Sequence, residues 1–173
     1  MAELNPAVIP LSLYIHMPWC VRKCPYCDFN SHAVPDGELS LELEQEYLHA
    51  LVEDFKTQVD FAQGRQIHSV FIGGGTPSLI SAQGYQWLFD QLQAIIPFAE
   101  GCEITLEANP GTVEHDPFAG YLQAGINRLS IGVQSFNTDH LKRLGRIHSN
   151  EDAISAIGLA REAGFRRINV DLM

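Results

Sequence analysis

The feature that most constrains this chain is a short apolar segment followed directly by three cysteines. Residues 11–15, LSLYI, predict a β-strand, because β-branched and aromatic side chains favour the pleated backbone. The loop that follows carries Cys20, Cys24 and Cys27 in a C-x3-C-x2-C spacing. Three thiolates on one loop can bind three irons of a cubane cluster and leave the fourth iron open to another ligand. We therefore predict that these cysteines are the ligands of a [4Fe-4S] cluster.

Two other interpretations use the same cysteines. A structural zinc site needs four closed ligands, and His16 or His32 could complete a Cys3His set. Alternatively, Cys24 and Cys27 in C-P-Y-C resemble a redox dithiol. Neither interpretation explains the three-residue spacing from Cys20, so the cluster is favoured. The remaining histidines share no ligand spacing and are expected at the surface: His49, His68, His115, His140 and His148.

Composition and charge narrow the class of protein. A chain of 173 residues with 46% apolar side chains is long enough to bury one core. The net charge of −10 argues against a nucleic-acid-binding protein, which needs clustered Lys and Arg. Cys102 is expected to be an ordinary buried thiol. Because the sequence shows neither a secretory leader nor an apolar membrane span, we predict a cytoplasmic protein, in which the thiols stay reduced. Most acidic residues fall in one predicted helix and are expected on its solvated face: Glu38, Glu42, Glu44, Glu46, Glu53, Asp54 and Asp60.

Short β-branched segments alternate with amphipathic ones, which is typical of repeated βα units and a parallel sheet. The predicted strands are 12–16, 69–72, 103–107, 128–134 and 167–172. The predicted helices are 40–61 after a turn at 35–37, a second from Ser81 to residue 96, a short one ending near residue 124, and a last one from Ser149 to Gly164.

Functional groups are expected at the C-terminal ends of parallel strands, whether the sheet closes into a barrel or stays open. The cysteine loop follows the first strand, and the glycine-rich turn Gly73–Ser78 follows the second. This turn lacks the Gly-Lys-Ser/Thr of a P-loop, and its glycines would let the polar end of a ligand approach and hydrogen-bond the backbone. Glu107, Gln134 and Asp171 end the next three strands.

Together these motifs resemble the radical S-adenosylmethionine superfamily. Within it, five segments are similar to the oxygen-independent coproporphyrinogen III oxidase group: YIHMPWCVRKCPYCDF, GGGTPS, TLEANP, RLSIGVQSF and NVDLM. The resemblance covers residues 11–173 and implies an α/β fold, a partial (β/α)6 TIM-like barrel, truncated here after about five βα units. We therefore expect residues 1–173 to be an incomplete N-terminal core domain, with the last βα units and a C-terminal domain missing.

The group contains an oxidase branch and a heme chaperone branch, which differ at one position of the cysteine loop. The oxidase branch carries a fourth cysteine where this chain has Phe29, and a long extension where this chain has 11 residues before Ser12. Both departures favour the chaperone branch, which implies binding of heme and its transfer to acceptor proteins such as respiratory enzymes. The alternative is the oxidase of porphyrin biosynthesis. The resemblance also implies an electron donor for the cluster.

The resemblance further implies which residues contact S-adenosylmethionine, and no catalytic residue is assigned. Tyr14 and Tyr26 match aromatic contacts, with Tyr26 against the adenine. The turn that receives the methionine end matches Gly74, Gly75 and Thr76. The remaining polar contacts match Glu107, Gln134, Arg146 and Asp171.

Overall fold

A computed structural model describes residues 5, 8–34, 38–111 and 116–173, so the turn predicted at 35–37 and His115 lie outside the described residues. The strands in these ranges are β1 (Leu11–Met17), β2 (Trp19–Cys20), β3 (His32–Ala33), β4 (Ile67–Gly74), β5 (Phe98–Ala108), β6 (Arg128–Gln134) and β7 (Ile168–Leu172). The helices are α1 (Leu41–Thr57), α2 (Val59–Ala62), α3 (Ala82–Ile95), α4 (Phe118–Gln123), α5 (Thr138–Arg143) and α6 (Asn150–Glu162), with a 3-10 turn at Pro77–Leu79.

Five strands form one parallel sheet in the order β1-β4-β5-β6-β7, which confirms the predicted α/β class. Each of these strands overlaps a predicted one, with β7 beginning one residue later than predicted, and the carboxyl ends of all five meet at one edge of the sheet. The two-residue strands β2 and β3 form a separate parallel pair. Sequence patterns did not indicate this pair, since two residues are too few to show a period.

The helices begin where serines can cap them. Ser40, Ser81 and Ser149 each accept a hydrogen bond from the backbone N–H three residues on. Because Asp152 also accepts from the Ser149 backbone, α6 begins with a capping box. The predicted 40–61 helix is in fact two, because the backbone leaves the α1 path at Gln58 before α2 begins.

The two faces of the sheet differ in chemistry. One face carries branched apolar side chains that pack against the helices, and burying each fully stabilises the fold by about 1.5–3 kcal/mol. The core includes Ile15, Met17, Val70, Ile72, Leu106, Leu129, Ile131 and Val133 from the sheet, and Leu48, Phe55, Tyr85, Leu88, Phe89 and Tyr121 from the helices and the segments beside them. Alternate residues of the same strands point to the opposite side, the concave face, where polar side chains predominate. The core therefore leaves the concave face free for a ligand.

Two ionisable residues expected at the surface are buried. Glu44 is 3% exposed and accepts hydrogen bonds from the N–H and hydroxyl of Ser81, at 2.9 and 2.5 Å, so it ties α1 to the start of α3. His148 is 4% exposed, and its Nε2 lies 2.9 Å from the carbonyl oxygen of Val133. Burial lowers the pKa of His148, because the charged imidazolium loses hydration there. The other acidic residues and histidines that were predicted at the surface are exposed where the structure describes them: Glu38, Glu42, Glu46, Glu53, Asp54, Asp60, His49, His68 and His140.

All four cysteines are free, and Cys102 is buried as expected. Across residues 5, 8–34, 38–111 and 116–173, no helix combines the length and apolarity that crossing a bilayer requires.

Replacing Glu44 should show how much the contact between α1 and α3 stabilises the chain. Glu44→Ala leaves the buried N–H of Ser81 without its acceptor, so we expect the free energy of unfolding in urea to fall by about 1–3 kcal/mol. Glu46→Ala removes an exposed carboxylate from the same helix and is the matched control. Equal losses in the two variants would contradict this role for Glu44.

Candidate cofactor-binding site

One cavity of about 400 Å³ joins the cysteine loop to the carboxyl ends of the strands. Every predicted cluster or cofactor residue except Tyr14 lines it: Cys20, Cys24, Cys27, Tyr26, Gly74, Gly75, Thr76, Glu107, Gln134, Arg146 and Asp171. These residues come from separate segments between β2 and β7, so the parallel sheet brings together what the sequence spreads over most of its length. Their binding roles stay predictions.

The cysteine loop is closed at its base by backbone pairing. In β2 and β3, Trp19 lies opposite His32 and Cys20 lies opposite Ala33. The Val34 N–H donates to the carbonyl oxygen of Cys20 at 2.9 Å. Within the loop, the ammonium group of Lys23 donates to the Phe29 carbonyl at 3.0 Å. The three thiols are therefore presented on a closed loop rather than on a free segment.

The glycine turn lies directly against the chain that leads into this loop. The N–H of Gly75 donates to the Met17 carbonyl and that of Thr76 to the Trp19 carbonyl, both at 2.6 Å. The N–H of Gly74 donates to Oε2 of Glu107 at 3.2 Å. Since these three N–H groups bond within the protein, a ligand that hydrogen-bonds this part of the turn must donate to carbonyl oxygens. The ligand contact predicted for this part of the turn is therefore limited to its backbone carbonyl oxygens.

Arg146 reaches the cysteine loop from a position 122 residues away along the chain. Its Nη1 lies 3.4 Å from Sγ of Cys24 and 3.5 Å from the hydroxyl oxygen of Tyr26. Its Nη2 donates to Oδ1 of Asn109 at 2.5 Å and to the Gly132 carbonyl at 2.8 Å. Nε of Arg146 is buried and has no hydrogen-bond partner among the described residues. The guanidinium thus places a positive charge beside one thiol and keeps one donor for a ligand.

Glu107 and Asp171 provide the acidic part of the cavity. Burial raises the pKa of Glu107 above its ordinary value; the bond from the Gly74 N–H opposes this rise, whereas the Asp171 carboxylate adds to it. Asp171 accepts from the hydroxyl of Ser130 at 3.0 Å and from the amide of Asn169 at 2.7 Å. These carboxylates, on β5 and β7, can accept hydrogen bonds from the hydroxyl groups of a bound ligand.

Two of the predicted residues adopt unexpected positions. Tyr14 lies in the middle of β1, outside the lining of the cavity, and its ring is next to Phe71 on the concave face, with centroids 6.4 Å apart. Gln134 has a positive φ of 64°, a left-handed conformation that is uncommon for residues other than glycine. Non-glycine residues held in this region cluster at ligand sites, which fits the place of Gln134 in the cavity wall.

His16 holds the far end of the cysteine loop instead of facing the thiols. Its Nδ1 lies 3.0 Å from the Tyr14 hydroxyl and its Nε2 lies 2.8 Å from the Asn30 carbonyl oxygen. In the part of the chain that the structure describes, no three His, Cys, Asp or Glu side chains are placed to hold one metal ion. This arrangement gives no support to the single-ion zinc interpretation. In a cubane cluster, by contrast, each thiolate binds a different iron.

Sequence reasoning missed several residues of the cavity wall. They lie on the concave face of the last strands or directly beyond β5: Asn109, Arg128, Ser130, Gly132 and Asn169. In β6, RLSIGVQ alternates polar or small residues with apolar ones, and this period-two pattern is the signal that identifies its concave positions. Asn109 has no comparable signal, because its place depends on its bond to Arg146.

The contact between the glycine turn and the cysteine loop can be tested at Gly75. A Cβ added there would collide with the Trp19 carbonyl and lie 2.9 Å from the Met17 oxygen. Because these are backbone atoms, Gly75→Ala should lower the free energy of unfolding by about 1–3 kcal/mol and increase the rate at which Cys20 reacts with a thiol reagent. Gly158→Ala is the control, since nothing lies within 4 Å of its added Cβ and alanine favours helix. A Gly75→Ala chain as stable as this control would contradict the tight contact.

The raised pKa of Glu107 predicts a specific dependence of stability on pH. Between the ordinary carboxyl pKa and the raised one, the folded chain binds more protons at Glu107 than the unfolded chain, so this group's contribution to stability is lost as pH rises. Glu107→Gln should therefore gain stability relative to the unchanged chain as pH rises through this window. Urea unfolding at several pH values measures the difference, and a constant difference would contradict the prediction.

Several known proteins are similar to this chain in sequence. The protein "Heme chaperone HemW" from Haemophilus influenzae is 53% identical over 172 residues, which cover 97% of this chain and 44% of that protein. The protein of the same description from Escherichia coli is 56% identical, with 95% of this chain and 42% of that protein covered. A bovine mitochondrial protein, "Radical S-adenosyl methionine domain-containing protein 1", is 37% identical, with 94% and 36% covered. The chain spans less than half the length of these relatives.

Comparison of structures agrees with the predicted fold class. Coproporphyrinogen III oxidase (HemN) from Escherichia coli, a radical SAM enzyme, matches with a TM-score of 0.81 at 31% identity, over 97% of this chain and 38% of that one. An archaeal Elp3 matches with a TM-score of 0.59 at 17% identity, over 96% and 38%, and this likeness concerns the fold alone. The predicted barrel fold is confirmed, and this chain contains part of the barrel. The model of the radical SAM superfamily matches residues 14–173, and the chain belongs to this superfamily.

Proposed function

We propose that this chain is the cofactor-binding part of a heme chaperone, which binds a [4Fe-4S] cluster, S-adenosylmethionine and heme and passes the heme to acceptor proteins. Identities of 53% and 56% to proteins described as heme chaperones support the heme function. The single cavity shared by three thiols and the strand-end polar groups is the observation that carries the cofactor assignment. We place the protein in the cytoplasm, where thiols stay reduced.

The donor set of the cavity fits both cofactors. Cys20, Cys24 and Cys27 would hold the cluster, and the remaining open iron would bind S-adenosylmethionine and supply an electron to it. The guanidinium of Arg146 lies beside Cys24, where its positive charge would offset part of the negative charge of a cluster held by three thiolates. The unpartnered, buried Nε of Arg146 indicates that this side chain is built to meet one more acceptor.

The chain's own groups would orient S-adenosylmethionine from several sides. Glu107 and Asp171 would accept hydrogen bonds from its hydroxyl groups, and the carbonyl oxygens of the glycine turn would accept from its amino group. Tyr26 is 39% exposed at the rim and offers an aromatic face for the adenine. Burial raises the pKa of Tyr26 and the Arg146 charge opposes this rise, so its hydroxyl stays protonated at neutral pH.

Phe29 favours the chaperone over the porphyrin oxidase. It lines the cavity and is 53% exposed, in the position where the oxidase branch resembled by this sequence carries a fourth cysteine. A phenylalanine offers no thiol for chemistry on a substrate but gives an apolar surface at the cavity rim. The structural similarity to the Escherichia coli oxidase concerns the shared fold and does not favour oxidase activity.

The cluster can be tested with the whole protein, reconstituted without oxygen. We expect about four irons and four sulfides per chain in the unchanged protein, as a [4Fe-4S] cluster requires, and loss of most of both in Cys24→Ser. Cys102→Ala is the matched control, because this buried thiol does not line the cavity. One zinc per chain without sulfide would overturn the cluster assignment.

The heme function needs a second measurement. The whole protein should bind heme in an absorbance titration and then lose it to a heme-free acceptor protein, with spectra that change from one bound form to the other. Retention of heme in the presence of several acceptors would contradict the chaperone proposal. Decarboxylation of coproporphyrinogen III coupled to formation of 5′-deoxyadenosine would instead establish the oxidase.

A further inference from the structure

The concave face of the sheet is unusually polar for a barrel wall. Barrel interiors are ordinarily filled by branched apolar side chains. Here the inward positions of the five strands carry mostly hydroxyl, amide and charged groups: Ser12, His16, Ser69, Glu103, Thr105, Glu107, Arg128, Ser130, Asn169 and Asp171. Because so many polar groups cannot form a dry core, this face is suited to a polar ligand beyond the cofactor cavity itself.

One row of this face combines two aromatic rings, a hydroxyl and a positive charge. In the strand register Tyr14 lies opposite Phe71, Phe71 opposite Thr105, and Thr105 opposite Arg128. These four residues, the Tyr14–Arg128 row, therefore cross four neighbouring strands at one level. The level of Glu107 and Ser130 lies two residues nearer the carboxyl ends of the strands, about 7 Å along them.

The charged end of the row is incompletely neutralised. Nη1 of Arg128 lies 3.5 Å from Oε1 of Glu103, and Nη1 of Arg167 lies 3.0 Å from Oε2 of the same carboxylate. Two guanidinium groups share one carboxylate, so one positive charge remains. The side chain of Arg128 is 31% exposed and lines the cofactor cavity, so it is the member of this group that a ligand in the cavity can reach.

The aromatic end of the row offers a flat surface. The rings of Tyr14 and Phe71 are nearly parallel, at 20°, with centroids 6.4 Å apart, and Tyr14 is 54% exposed. Such a pair can pack against the face of a planar ring. Nearer the cofactors, Glu107 and Asp171 would repel a carboxylate, whereas Arg128 would attract one. A planar acid on this face would therefore direct its carboxylate away from the acidic level.

We propose that the Tyr14–Arg128 row binds a planar ring that carries a carboxylate, with the ring against Tyr14 and Phe71 and the carboxylate on Arg128. This inference rests on the proposed function, under which the ring is heme and the carboxylate is one of its propionates. Arginine suits this role because its planar guanidinium matches the two oxygens of a carboxylate.

The test compares heme with its dimethyl ester, in which both propionates are uncharged, on the whole protein in absorbance titrations. Arg128→Gln should weaken the binding of heme roughly tenfold, since charge-assisted hydrogen bonds are lost, and should leave the binding of the ester unchanged. Arg128→Lys keeps the charge and should recover part of the affinity. Arg161→Gln removes an exposed arginine of α6 and should change neither.

Glu103→Gln provides a second variant, for which the opposite effect on heme binding is expected. It removes the carboxylate that Arg128 and Arg167 share, so the binding of heme should tighten while that of the ester stays the same. Equal weakening of heme and ester binding by Arg128→Gln, or no effect on either, would contradict the proposed binding at the Tyr14–Arg128 row. The chaperone proposal would then still stand. If the protein without substitutions binds neither heme nor its dimethyl ester, both proposals are overturned.

Discussion

The two sequence motifs of this chain are joined by two backbone hydrogen bonds. The N–H groups of Gly75 and Thr76 donate to the carbonyls of Met17 and Trp19, so the glycine turn continues the pairing of β1 with β4 past the end of the sheet. Only glycine fits at position 75, because a Cβ would meet the Trp19 carbonyl. The direction in which β2 carries Cys20 into the cavity depends on this contact, and the arrangement of the three predicted cluster ligands depends on that direction.

Much of the fold could be predicted because it follows from short-range patterns. The five strands of the main sheet show β-branched segments, and their carboxyl ends must meet at one edge of a parallel sheet. That rule alone brings Glu107, Gln134 and Asp171 towards the cysteine loop, where the structure has them. The strand pattern of β6 even identifies its concave residues, since polar or small residues alternate with apolar ones from Arg128 to Gln134.

What could not be predicted depends on contacts between residues far apart in sequence. The bond of Arg146 to Cys24 spans 122 residues, and the burial of Glu44 depends on Ser81, 37 residues away. Neither partner is identifiable from its own neighbourhood, because a charged residue in a helix or a loop is ordinarily solvated. The burial of His148 has the same origin: its carbonyl partner is in β6, while its own segment is a loop.

The alternation within each strand separates the two tasks of the sheet. In β6, Leu129, Ile131 and Val133 are buried against the helices, whereas Arg128 and Ser130 belong to the concave face. Since the concave face contributes little to the apolar core, its residues can differ between proteins that bind different ligands while the fold stays the same. The chain can therefore share a fold with a porphyrin oxidase and still bind a different ligand, because the side chains that decide the ligand are those that point inward from the strands.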